Sequence, residues 1–197
     1  MIKLTPYNFN TNNRNNISFS AAKRLLPDKQ YRKRDIKLIS LDIDGTISDR
    51  RTNSVNPDVK SAIKSAIDKG IMVVLNSGRD DVEATIIARE LDLTTPIISN
   101  YGKYIRQSGT LIYENPSNKV DLKGDSLEYL AKSLGIKKEN IMSIGNDIED
   151  VSMFKKSGTA VMVEGSSYLR EIKPFAHYIT ESFNNSAVAL IIKKLIK

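Results

Sequence analysis

The chain has 197 residues with 40% hydrophobic side chains, enough to bury one core without covalent staples. It contains no cysteine, which excludes a disulfide framework and a thiolate metal site. The net charge of +7 is concentrated in residues 1–37, where nine Lys/Arg face two acids, so the remaining chain is balanced and its charge does not point to nucleic acid.

Residues 1–35 read as a basic, disordered leader, polar and aperiodic through "NFNTNNRNN", with one or two helical turns possible in "SFSAAKRLLP" before Pro27. No stretch approaches the length of a membrane span and no signal-peptide core is visible, so a cytoplasmic location is expected. Residues 36–197 read as the folded unit. "KLISLDI" predicts a strand, and Pro57-Asp58 opens a helix whose apolar positions Val59, Ala62, Ile63, Ala66 and Ile67 share one face. "IMVVLNSG" is a second strand, followed by a helix over 80–91 and a third strand in "PIISN". "YIRQSGTLIYE" predicts a hairpin turning at Ser108-Gly109. A helix over 124–134, a strand in "NIMSIGN", a helix near 148–156, a strand in "TAVMVE" and a closing amphipathic "SAVALIIKKLI" complete the order. Apolar strands alternating with helices predict an α/β fold, a doubly wound parallel sheet with a small hairpin.

Ligands of such sheets gather at the carboxyl ends of the strands. The first strand ends on Asp42 and Asp44, which would share a face if the strand continued. The second ends on Asn76-Ser77-Gly78-Arg79 at a helix start, where N–H groups favour an anion. The fourth ends on Gly145-Asn146-Asp147-Ile148-Glu149-Asp150, and Lys123 stands before a helix in "DLKGDSLEYL". Carboxylates and an amide suit Mg²⁺, whereas a hydroxyl, N–H groups and an ammonium suit a phosphate. Together they describe a phosphoryl-transfer site. His177, the sole histidine, reads as a surface or strand-edge residue.

These residues resemble a known family. "LDIDGT" is similar to the first motif, D-x-D-G-T, of haloacid dehalogenase (HAD) superfamily phosphatases of the Cof-like branch. "VVLNSGR" resembles the second motif, Lys123-Gly124 with "LEYL" the third, and "IGNDIEDVSMF" the fourth. The resemblance covers residues 36–197 and implies a Rossmann-like core and a Mg²⁺-dependent phosphomonoester hydrolase. It implies Asp42 as nucleophile through an aspartyl-phosphate and Asp44 as acid and base. It implies phosphate binding by Ser77, Gly78 and Lys123, and Mg²⁺ at Asp42, Asp44, Asn146 and Asp150. A small phosphorylated metabolite such as a sugar phosphate is the expected substrate. The alternatives are a catalytically weak binding module and a phosphatase of a macromolecule held by the basic leader. Three departures stand out. Asn146 falls where the metal-binding aspartate is usual, with Asp147 as the competing ligand and Glu149 in place of an asparagine. Tyr101 replaces a frequent Asn before Gly. The cap domain that Cof-like enzymes insert between motifs two and three is largely absent, so the site is expected to be open or covered by a second copy of the chain.

Overall fold

A computed structural model describes residues 22–24, 35–49, 51, 53–165, 167–182 and 186–196. Six parallel strands form its centre: β2 (Leu38–Leu41), β5 (Met72–Asn76), β6 (Ile97–Ser99), β9 (Ile141–Gly145), β10 (Thr159–Glu164) and β11 (Tyr178–Ser182). β7 (Tyr104–Gln107) and β8 (Thr110–Glu114) extend one edge antiparallel, as the expected hairpin. At the other edge β1 (Ala22–Arg24) pairs antiparallel with β11. This stretch lies in the leader expected to be disordered, where a helical turn or two was possible, and is extended instead; of the rest of the leader only Asp35 is among the described residues. A short ribbon, β3 (Ser48–Asp49) with β4 (Ser54–Val55), follows the first motif.

The sheet order is β1-β11-β10-β9-β2-β5-β6-β7-β8. From β2 the chain winds outward through β5 and β6, then returns and winds the other way through β9, β10 and β11. The order reverses between β2 and β9, and the carboxyl ends of those strands border a crevice, the place where open α/β sheets bind ligands. Strand periodicity sorts the two faces. Ile39, Leu41, Val73, Leu75, Met142 and Ile144 pack against α1 (Pro57–Asp68), α2 (Asp81–Glu90) and α6 (Ala187–Leu195). Leu38, Val74, Ile98, Ile141 and Met162 pack against α3 (Lys123–Ser133), α4 (Val151–Lys155) and α5 (Leu169–Ile172).

Between Arg79 and Lys123 the chain spends its residues on α2, β6, the hairpin and a loop. No cap domain forms there, as expected. Lys123 is the first residue of α3 rather than a loop residue before it, and the helix expected near 148–156 begins as a 3-10 turn over Ile148–Asp150.

Candidate active site

The end of β2 carries Asp42 into the crevice, buried at 5% exposure. Its Oδ1 accepts a hydrogen bond from Lys123 Nζ at 2.9 Å, and its Oδ2 accepts one from Thr46 Oγ1 at 3.1 Å. Lys123 Nζ also donates to Asp150 Oδ1 at 2.7 Å. The ammonium thus sits between two buried carboxylates. Asp150 is anchored further: its Oδ2 accepts from the backbone N–H groups of Asn146, at 2.8 Å, and Asp147, at 3.0 Å. Gly145 admits this arrangement because a Cβ there would lie 2.3 Å from the Asp150 carboxylate.

Burial pushes the Asp42 carboxyl up to about 7, and the charge of Asp150 adds to that rise while Lys123 opposes it. Burial would drive the Lys123 ammonium toward its neutral form, but Asp150 and Asp42 outweigh it and hold the lysine above its ordinary value. When Asp42 is ionised, one cation stands between two anions and an excess negative charge lies at the floor of the crevice. The backbone of the lysine is clamped as well. Its N–H donates to Asp121 Oδ1 at 3.2 Å, and its carbonyl accepts from Asn76 Nδ2 at 3.1 Å. Asn76 is fully buried and also donates to Ser40 Oγ at 3.2 Å.

Asp44 is placed differently. β2 stops at Leu41, so the two aspartates do not share a strand face as they would on a continued strand. The Asp44 carboxylate takes a two-pronged bond from Arg79, Nε to Oδ2 at 2.9 Å and Nη2 to Oδ1 at 2.7 Å. Arg79 also donates to Asn53 Oδ1 on the β3–β4 ribbon. Ser77 is fully buried, and its hydroxyl accepts from Arg79 N at 3.2 Å. Gly78 follows at the loop apex, with the ring of Tyr101 against it.

The expected metal ligands divide. Asp150 has one oxygen engaged by the lysine and the other by two N–H groups, so in this structure it holds the lysine and the β9 loop. Asn146 Oδ1 lies 3.2 Å from Thr46 Oγ1, which also serves Asp42 Oδ2. A hydroxyl has one proton, so two hard oxygens converge on it and only one can be satisfied. That surplus of acceptors, beside a net negative floor, fits an oxygen-loving divalent cation such as Mg²⁺. Asp147 turns its side chain to cap the 3-10 turn, accepting from Ile148 N at 2.6 Å. Glu149 is half-buried and its carboxyl is raised by burial. Among the described residues no three His, Cys, Asp or Glu side chains form a metal-binding group. His177 accepts from Ala160 N at 2.7 Å and joins neighbouring strands.

Thr46, Arg79 and Asn76 were given no role from sequence. Thr46 and Arg79 stand inside quoted motifs, and Asn76 is a polar residue in the apolar run "VVLN", the one signal that marked it.

The haloacid dehalogenase-like hydrolase family profile matches residues 39–123 and 117–192. The chain belongs to that family. A 5-amino-6-(5-phospho-D-ribitylamino)uracil phosphatase of Bacillus subtilis is 23% identical over 240 positions, covering 81% of this chain and 95% of that one. The alignment is longer than this chain, so the relative carries segments without counterpart here. The 3-deoxy-D-manno-octulosonate 8-phosphate phosphatase of Escherichia coli is 30% identical, covering 78% of this chain and 74% of that one. Other matches are partial: the chain spans 35% of a Streptococcus pyogenes relative and 53% of a phosphoserine phosphatase of Methanocaldococcus jannaschii. A haloacid dehalogenase-like hydrolase from Bacteroides thetaiotaomicron superposes with a TM-score of 0.71 at 19% identity, covering 81% of this chain and 99% of that one. This likeness establishes the fold. No helix among the described residues is long and apolar enough to cross a membrane.

Proposed function

We propose that the protein is a Mg²⁺-dependent phosphomonoester hydrolase that passes through an aspartyl-phosphate on Asp42 and acts on a small phosphorylated metabolite. The observation that carries this reading is the Asp42–Lys123–Asp150 arrangement at the switch point of the sheet. A carboxylate held on one oxygen by an ammonium is oriented for attack on phosphorus. Asp150, fixed by two N–H groups, keeps the lysine from turning away. Lys123 has three donors and spends two of them on the carboxylates, which leaves one for a phosphoryl oxygen. Ser77 and the backbone at Gly78 would take the other phosphoryl oxygens, at the loop leading to the helix start of α2.

Asp44 would give a proton to the leaving oxygen and later take one from water. For that its carboxylate must exchange the Arg79 bond for the substrate, so Arg79 acts as its holder between turnovers. Asp42, Asn146 and the Asp44 carbonyl would hold Mg²⁺, which when bound neutralises charge between carboxylate and phosphate. The Bacillus subtilis, Escherichia coli and Methanocaldococcus jannaschii relatives are named as phosphatases of small phosphate esters, which supports a substrate of that kind and names none for this chain.

The test is hydrolysis of 4-nitrophenyl phosphate with and without Mg²⁺. Metal-dependent turnover that disappears in Asp42→Asn is expected; a folded protein without turnover would refute the reading. A second reading, a weakly catalytic module that binds phosphorylated ligands, is favoured by one observation: both Asp44 oxygens are occupied by Arg79. Tight phosphate binding without turnover would select it.

A further inference from the structure

The floor of the crevice is polar, yet two of its borders carry exposed apolar side chains. Tyr101, 39% exposed, stands on the loop after β6, and Ile148, also 39% exposed, stands on the loop after β9. In the sheet β2 and β5 lie between those strands, so the two residues stand on loops to either side of the strand that ends at Asp42. Tyr101 is not a bystander of the loop. Its N–H donates to the Ser77 carbonyl at 3.1 Å, and its carbonyl accepts from Leu122 N at 2.9 Å, which ties it to both phosphate-side motifs.

Its ring lies on Gly78, where a Cβ would come within 2.5 Å of Cε1 and 2.7 Å of Cζ. Only glycine lets the ring approach this closely. The backbone that aims it there is costly, with φ 56° and ψ 28° at Tyr101 and φ 49° at Asn100. Left-handed backbone at an aromatic residue persists where the surroundings impose it, and such positions cluster at ligand sites.

We propose that Tyr101, opposed by Ile148, is the leaving-group platform of this cap-less site, and that it selects phosphomonoesters whose leaving group carries a flat aryl or heteroaromatic ring. The proposal rests on the phosphatase reading above. In an enzyme with a lid, the lid closes over the leaving group and excludes water. Here the ring face supplies the apolar surface that remains, next to the loop that would hold the phosphate. Stacking a ring on an aromatic side chain contributes about 1–3 kcal/mol, while a short acyclic alcohol gains little from such a surface.

The experiment compares kcat/KM for 1-naphthyl phosphate and glycerol 3-phosphate, each with Mg²⁺, in wild type, Tyr101→Asn and Tyr101→Phe. Asparagine tolerates the left-handed backbone, so the loop keeps its shape. Taking variant over wild type for each substrate removes their difference in intrinsic reactivity. Tyr101→Asn is expected to lose about tenfold on naphthyl phosphate and several-fold less on glycerol 3-phosphate, with Tyr101→Phe retaining the preference. Equal losses on both substrates would reduce the ring to a structural role and overturn the proposal, as would no loss on either. Wild type that hydrolyses neither ester would remove the phosphatase reading and this one with it. Wild type that hydrolyses both, with the preference unmoved by Tyr101→Asn, would remove this one alone.

Discussion

Two carboxylate–cation pairs lie within a few residues of each other in this protein, and they are built for opposite purposes. Asp42 and Asp150 share Lys123 at the floor, with side chains 7%, 0% and 2% exposed. Asp44 meets Arg79 at the mouth, 15% and 9% exposed, and Arg79 reaches on to Asn53 of a short ribbon. The floor is over-determined: the lysine is bonded at its ammonium, its N–H and its carbonyl. The mouth pair is joined by a two-pronged bond, with Arg79 held further by Asn53. On the proposed mechanism Lys123 must stay still and is tied from several elements, whereas Asp44 must move protons and faces a cation that it can exchange for substrate.

Removing the cation from each pair breaks this comparison most sharply. Lys123→Met leaves two carboxylates buried without a counter-charge and is expected to cost about 3–5 kcal/mol of stability. Arg79→Met frees a carboxylate that can reach water, and about 1 kcal/mol or less is expected. Urea unfolding of both variants at neutral pH checks the contrast; equal losses would mean that the floor is not the stiffer site. Removing the acids then separates their work. Asp44→Asn should lower kcat by about a hundredfold to ten-thousandfold, the usual range for a positioned proton carrier, with stability nearly unchanged. A kcat within a few-fold of wild type would exclude Asp44 as acid and base.

A smaller effect follows from pH. The folded Asp42 carboxyl keeps its proton up to about 7, whereas an unperturbed one releases it near 3.8. Between those values the folded state binds more protons than the unfolded state, so this group lowers stability as pH rises through the window. With divalent cations chelated, Asp42→Asn should therefore melt higher than wild type at pH 8, by roughly 5 °C, and the gap should close as pH falls toward 4. A gap that does not change with pH would show that Asp42 is not held near 7. The smallest change concerns the metal alone. Asn146→Asp adds a charge where an amide oxygen stands near Asp42, so half-saturation by Mg²⁺ should fall by roughly tenfold, because ligand charge tunes divalent affinity. An unchanged value would mean that position 146 is not a ligand.

Much of the floor was legible in the sequence because its residues sit at fixed places in local motifs. Asp42 follows an apolar strand two residues before Asp44-Gly45-Thr46, and Lys123 stands at the edge of a helical pattern. The fold was legible for a related reason: apolar runs of strand length alternate with helical faces, and that pattern determines a doubly wound sheet. The pairing of Asp44 with Arg79 was not legible, since nothing local distinguishes which of two neighbouring acids meets a cation 35 positions later. Nor was the bond from Asn76, the last residue of β5, to the carbonyl of Lys123, the first residue of α3, 47 positions apart. The resemblance implies Asp150 as a ligand; its bracing of Lys123 was not legible, since it depends on Gly145 leaving room for the Asp150 carboxylate. The strand at Ala22–Arg24 was hidden because its partner β11 lies far along the chain.

The central claim is that Asp42 carries the phosphoryl group. Asp44→Asn, which lacks the carrier that activates water, should accumulate the intermediate when supplied with 4-nitrophenyl phosphate, a substrate whose leaving group needs no proton. Acid quenching followed by borohydride reduction converts an aspartyl-phosphate to homoserine, and peptide mass spectrometry locates it. The account predicts homoserine at position 42 in this variant, and none when Asp42→Asn is added. Homoserine at another residue, or nitrophenol released in a burst with position 42 still aspartate, would contradict it.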